Sequence, residues 1–121
     1  MTKKIIMVVD DELPITQVVG DLLKTEGYKV ITAISGKEAL DKLKKNIPHL
    51  ILLDIMMPGM DGWDVVEKIR GNKKLEKLKI VFLTAKIDPV SRSMGSLASL
   101  DYITKPFDNK DLVNRVKRAL G

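Results

Sequence analysis

Five short apolar runs punctuate the chain: IIMVV from Ile5, YKVITA from Tyr28, LILL from Leu50, IVFLT from Ile80 and YIT from Tyr102. Each has the length of a strand, and such continuous runs suggest strands buried on both faces rather than alternating between core and water. Between and after them the period changes to that of a helix. Ile15, Val18, Val19, Leu22 and Leu23 mark one helical face, with Pro14 in the opening turn and Gly27 as the stop. Ser35 followed three residues later by Glu38 is a capping-box signature leading into Ala39, Leu40 and Leu43. Val65, Val66 and Ile69 give a third helix closed by Gly71. Asp88 and Pro89 open a fourth, carried by Val90, Met94 and Leu97, and Leu112, Val113, Val116 and Leu120 give a fifth.

Strict alternation of strand and helix implies right-handed crossovers and a parallel sheet covered on both sides. The predicted fold is therefore a doubly wound α/β sandwich. Its 121 residues fit one domain, 1–121, able to bury a core without staples. There is no cysteine and one histidine, His49, which removes disulfides, thiol nucleophiles and most zinc chemistry. The apolar run after the basic N-terminus is too short for a signal-peptide core, and no segment approaches membrane-spanning length. A soluble, cytoplasmic protein without membrane insertion is expected. The net charge of +5 makes the chain basic. Its lysines are interleaved with Glu38, Asp41, Glu67 and Glu76, and its few aromatics are scattered, so no direct nucleic-acid binding is expected.

In doubly wound sheets, ligands bind outside the carboxyl ends of the strands. Asp10 and Asp11 follow the first strand, Asp54 the third, Thr84 ends the fourth and Lys105 follows the fifth. Singly, each has an ordinary explanation: acids opening a loop or a helix, a β-branched residue in a strand, a surface lysine before Pro106. Together they would form one polar cluster. Three carboxylates so close repel one another unless a cation joins them, and an all-oxygen donor set suits Mg²⁺. A carboxylate can attack phosphorus to give an aspartyl phosphate, a transfer that needs charge neutralisation from a metal and a lysine more than covalent help. No GxGxxG or GxxxxGK[ST] loop is present to cradle a nucleotide.

These residues, from VVDDE at Val8 through DIMMPGMDG at Asp54 and LTA at Leu83 to YITKPF at Tyr102, resemble the receiver domains of two-component response regulators over the whole chain. The resemblance implies a five-stranded flavodoxin-like sheet of strand order 2-1-3-4-5. It implies that Asp54 is the phosphoacceptor, that Asp10, Asp11, Asp54 and the Met56 backbone carbonyl hold Mg²⁺, and that Thr84 and Lys105 contact the phosphoryl group. Tyr102 would be the aromatic switch that follows Thr84, and the bond before Pro106 would be cis. The implied partners are a sensor histidine kinase or phosphotransfer protein and a downstream effector. The effector would read the surface of the fourth helix, fifth strand and fifth helix, and this chain would be a monomer or a phosphorylation-dependent dimer. Such a chain catalyses only its own phosphorylation and dephosphorylation and is not an enzyme of external metabolites.

A stand-alone receiver is expected, against a receiver cut from a longer DNA-binding regulator or hybrid kinase and a pseudo-receiver that binds without phosphorylation. Haloacid-dehalogenase-like phosphatases also use a strand-end Asp, but they want a second acid two residues on, where Met56 stands. Ser99, Leu100 and Asp101 replace the family's frequent Gly-Ala-Asp, and the serine-rich fourth helix with Gly95 has low propensity, so a mobile output helix is expected. Met56 and Lys86 occupy the two positions that tune phosphate loss, and neither orients water, which predicts slow self-dephosphorylation. Lys110, Arg115, Lys117 and Arg118 make the last helix basic, suited to pairing with acids or simply to solvent.

Overall fold

A computed structural model describes residues 3–85 and 101–121. The fourth predicted helix, Lys86, Ser99 and Leu100 lie outside the described residues. The elements follow the predicted alternation: β1 (Ile5–Val9), α1 (Leu13–Thr25), β2 (Lys29–Ala33), α2 (Gly36–Leu43), β3 (Leu50–Leu53) and α3 (Gly62–Arg70). A 3₁₀ turn (Lys73–Leu75), β4 (Lys79–Thr84), β5 (Asp101–Thr104) and a C-terminal helix (Asn109–Leu120) complete them. All five strands are parallel, in the order β2-β1-β3-β4-β5.

Successive residues of a strand point to opposite faces, so each strand feeds two cores. Met7, Val9, Ile51, Leu53, Ile80 and Phe82 face α2 and α3, where Ala39, Leu43, Val65 and Ile69 meet them. Ile6, Val8, Leu50, Leu52, Val81 and Leu83 face α1 and the C-terminal helix, against Val19, Leu23, Leu112 and Val116. Burial on both faces, expected for every strand, holds for β1, β3 and β4. It fails for the outer strands: Lys29 and Thr32 of β2 are exposed, and Ile103 is the one buried residue of β5. An edge strand lacks a neighbour on one side, so its side chains are covered less completely.

Helix starts carry local signals. In α2, Ser35 accepts a hydrogen bond from the Glu38 backbone N–H at 3.1 Å. The Glu38 carboxylate does not return to Ser35 but accepts from the N–H of Ile34 at 2.7 Å, so the box is offset by one residue. The reciprocal box is at α3, where Asp61 accepts from Asp64 N–H (2.9 Å) and Asp64 from Asp61 N–H (3.1 Å). α1 opens with Pro14 in its first turn, and past its end Gly27 takes φ +94°, a left-handed value that a side chain resists.

Register decides what the strand ends hold. Val9 pairs with Leu53 and Leu53 with Phe82, and the ladder continues one step beyond the strands, with Asp54 N–H donating to Val9 O at 3.0 Å. Asp10 N–H donates to Ala33 O (3.1 Å) and Lys105 N–H to Thr84 O (3.0 Å). The backbones of Asp10, Asp54 and Lys105 are thus fixed as extensions of the sheet.

Candidate functional site

The strand-end residues predicted from sequence converge. Asp10 and Asp54 are buried, Asp11 beside them is exposed, and carboxylate oxygens of all three lie within 4.8 Å of one another. Into this cluster reaches Lys105, its ammonium 2.6 Å from Asp10 Oδ2 and 3.3 Å from Asp54 Oδ2. Glu12, the last residue of the VVDDE stretch, is the third partner of Lys105, at 3.5 Å. The Lys105–Pro106 bond is cis, as the resemblance implied.

Backbone donors orient the two buried acids. Glu12 N–H donates to Asp10 Oδ1 at 2.9 Å, and Met56 N–H to Asp54 Oδ1 at 3.1 Å. Met56 leaves its side chain exposed. The loop that carries it returns tightly, because Gly62 N–H donates to Ile55 O at 2.9 Å and α3 begins against the Asp54 backbone. A Cβ on Gly62 would lie 2.6 Å from Asp54 O and 2.7 Å from Ile55 Cα, so only glycine allows this approach. Within the DIMMPGMDG stretch nothing in the sequence singles out Gly62 for this contact.

Burial pushes the carboxyl of Asp54 above the usual range, and the neighbouring charge of Asp10 adds to the effect against the opposing pull of Lys105. Asp10 is raised by burial as well, although Lys105 and the Glu12 N–H oppose it. Burial alone would lower Lys105, but its contacts with Asp10 and then Asp54 outweigh that and raise it. Lys105 Nζ, 2.6 Å from Asp10 Oδ2, holds this buried oxygen chiefly by charge attraction. A buried oxygen whose one close partner is a cation, beside two further carboxylates and with no nitrogen or sulfur in the set, fits a hard divalent cation.

Thr84 is fully buried at the end of β4, paired in register with Thr104, the residue before Lys105. Tyr102, on β5, is half-buried with its ring on Phe82 (centroids 5.5 Å, planes at 33°), and Phe82 in turn packs on Trp63 at 5.1 Å. Of the basic residues of the C-terminal helix, Arg115 pairs with Asp101 and Asp111, and Lys117 with Glu26, so both are engaged within the fold.

Residues 6–117 match the response regulator receiver domain family. The chain belongs to the receiver domain family. Solved receivers share the fold closely. The chemotaxis protein CheY4 of Vibrio cholerae is 30% identical, with 98% of this chain and 99% of that one covered and a TM-score of 0.92. A CheY-like receiver domain protein of Methanospirillum hungatei is 42% identical over 99% and 96% of the two chains, with a TM-score of 0.88. The response regulator TrrA of Thermotoga maritima, solved in complex with Mg²⁺-BeF, is 40% identical over 96% and 98%, with a TM-score of 0.84. The receiver described here is thus a two-component signalling domain with an acidic cluster at the carboxyl ends of β1 and β3. Among its described residues no helix is long and apolar enough to cross a membrane.

Proposed function

We propose that Asp54 accepts a phosphoryl group from a sensor histidine kinase or phosphotransfer protein, and that this charge change switches a protein-binding face. The observation that carries the proposal is the placement of a buried, backbone-oriented carboxylate 3.3 Å from a lysine ammonium and within 4.8 Å of two further acids. A lone pair of the Asp54 carboxylate forms the new O–P bond as the bond from phosphorus to the donor atom breaks. The donor keeps that electron pair, and a departing imidazole takes up a proton. Asp10, Asp11, Asp54 and the Met56 carbonyl would hold Mg²⁺, which when bound supplies positive charge to the phosphoryl oxygens. The chain's own contribution is to fix the nucleophile on the sheet, to offer the Lys105 ammonium to the developing charge, and to bring the Thr84 hydroxyl to a phosphoryl oxygen.

Phosphorylation adds roughly two negative charges to the cluster. Lys105, now shared among Asp10, Glu12 and Asp54, is drawn towards the new group, and Lys105 is one residue from the end of β5. The fourth predicted helix, β5 and the C-terminal helix form the proposed readout face for an effector, with Tyr102 following Thr84. The activity is confined to the chain's own Asp54, in the cytoplasm, and does not extend to external metabolites.

Intact mass after incubation with Mg²⁺ and acetyl phosphate tests this. One added phosphoryl group on the wild type, absent from Asp54→Ala and abolished by chelation, is the expected result. No adduct, together with no change of Trp63 fluorescence on adding beryllofluoride, would overturn it in favour of a phosphorylation-independent binding module.

A further inference from the structure

On the sheet face opposite α1 and the C-terminal helix, α2, α3 and the 3₁₀ turn enclose a groove of about 520 Å³. Leu40, Ile47, Met60 and Leu75 give it an apolar floor, and Ile47 is 47% exposed there. Met60 packs on Gly36, where a Cβ would come within 3.0 Å of its Cγ. The rim is cationic: Lys37, Lys44, Lys68 and Lys74 surround the floor. One groove carboxylate, Asp41, opposes them, and it lies 3.9 Å from Lys44 in a solvent-exposed pair that neutralises little. Among the described residues no carboxylate pairs with Lys37, Lys68 or Lys74. A second groove of about 350 Å³ shares Ile47 and Lys74 and adds Lys4 and Lys77, which extends the positive rim.

The chemistry of this face selects its occupant. An apolar floor offers nothing to a phosphate backbone, and no aromatic side chain lines the groove to stack a base. The arginine nearest to it in sequence, Arg70, donates to the Glu76 and Leu78 carbonyls at 3.3 and 3.0 Å and is committed to the fold. Lysines around an apolar trough instead match a helix with apolar residues at i, i+3/i+4 and i+7 and acids on both flanks. Lys37 and Lys44 stand seven residues apart, about 10 Å along α2, which corresponds to two turns of such a helix. We propose that this groove docks an acidic amphipathic helix of a partner protein. No lining residue of this groove belongs to β5 or the C-terminal helix, so on the proposed function it is open to the phosphorylated and unphosphorylated chain alike and serves as a second, constitutive recruitment surface.

The test uses the whole unphosphorylated chain, labelled with ¹⁵N, and a synthetic 14-residue helix-forming peptide with leucines at that spacing and flanking glutamates. Saturable shifts confined to the amides of α2, Ile47 and the segment from Lys68 to Leu75 are expected. Lys37→Glu/Lys68→Glu and Ile47→Asp should each weaken binding at least tenfold while leaving the circular dichroism spectrum unchanged. Four outcomes would each overturn the proposal. They are no shift at millimolar peptide, equal shifts from a peptide with its leucines changed to serine, shifts spread equally to Lys110 and Arg118, and tighter binding of anionic vesicles or polyuridine to the same face.

Discussion

Replacing Asp54 by asparagine should make the protein more stable. At an effective dielectric of 20, the Lys105 ammonium 3.3 Å away attracts the Asp54 charge by about 5 kcal/mol. Asp10, within 4.8 Å, repels it by about 3.5 kcal/mol, and exposed Asp11 by about 1 kcal/mol in near-aqueous surroundings. The charge terms nearly cancel, which leaves the cost of burying a carboxylate to set the sign. The upward displacement of the Asp54 pKa, caused first by burial, has that sign too. Asparagine keeps an oxygen for the Met56 N–H and sheds the charge, for an expected gain of roughly 2 kcal/mol at pH 7. That corresponds to roughly 8 °C in Tm for a chain of this size. A raised carboxyl pKa means that stability is fully present below the unfolded value, about pH 4, and is lost as pH rises through the folded value. The advantage of the variant should therefore be absent below about pH 4 and open on the way to neutrality. Urea unfolding followed by Trp63 fluorescence at pH 7 and at pH 3.5 measures it. No gain at pH 7, or the same gain at both pH values, would refute the reasoning.

Removal of Lys105 should act in the opposite sense. Lys105→Met leaves three carboxylates without their cation and should cost about 3 kcal/mol at pH 7, a loss recovered in urea titrations as acid protonates Asp10 and Asp54. Mg²⁺ at a hundredfold excess over its Kd should stabilise the wild type by about 2.7 kcal/mol in thermal melts. Asp10→Asn should respond much less. Gly62→Ala should push the loop off Asp54, costing about 2 kcal/mol and slowing acetyl phosphate labelling, and unchanged labelling would contradict the close approach. Ser35→Ala should cost about 1 kcal/mol, by urea unfolding, through loss of the bond from Glu38 N–H. Because Met56 offers no group to orient water, the phosphorylated wild type should outlast Met56→Asn when followed by intact mass, and equal lifetimes would count against that role.

The sequence was most legible where local pattern and tertiary structure agree. Apolar runs located all five strands to within a residue or so, because strands buried in a parallel sheet must be continuously apolar. The strand-end rule by itself gathers Asp10, Asp11, Asp54 and Lys105. Less visible were features that depend on distances between segments. Glu12 joins Lys105 through the packing of the loop after β1 against the loop after β5, which no spacing encodes. The tight approach of Gly62 to the Asp54 backbone is a contact of surfaces, and a glycine in a turn has many other reasons to be there. The exposure of β2 follows from its edge position, a property of strand order and not of its own five residues. The pairing of Arg115 and Lys117 within the fold was equally hidden, since a basic helix face reads the same whether its partners lie across a strand or in solvent.

β5 is anchored at both ends, by Arg115 at its start and by Lys105 just past its last residue. Its Nη1 donates to both Asp101 carboxylate oxygens at 2.8 Å, and its Nε to Asp111 at 2.9 Å, which bolts the start of the strand to the C-terminal helix. The opposite end of the same strand leads into Lys105. On the proposed switching, a pull at Lys105 would act on a strand anchored three residues behind Thr104 by an ion pair. Travel at the carboxylate cluster would then be transmitted along β5 towards its helix, with Tyr102 close to the Arg115 anchor.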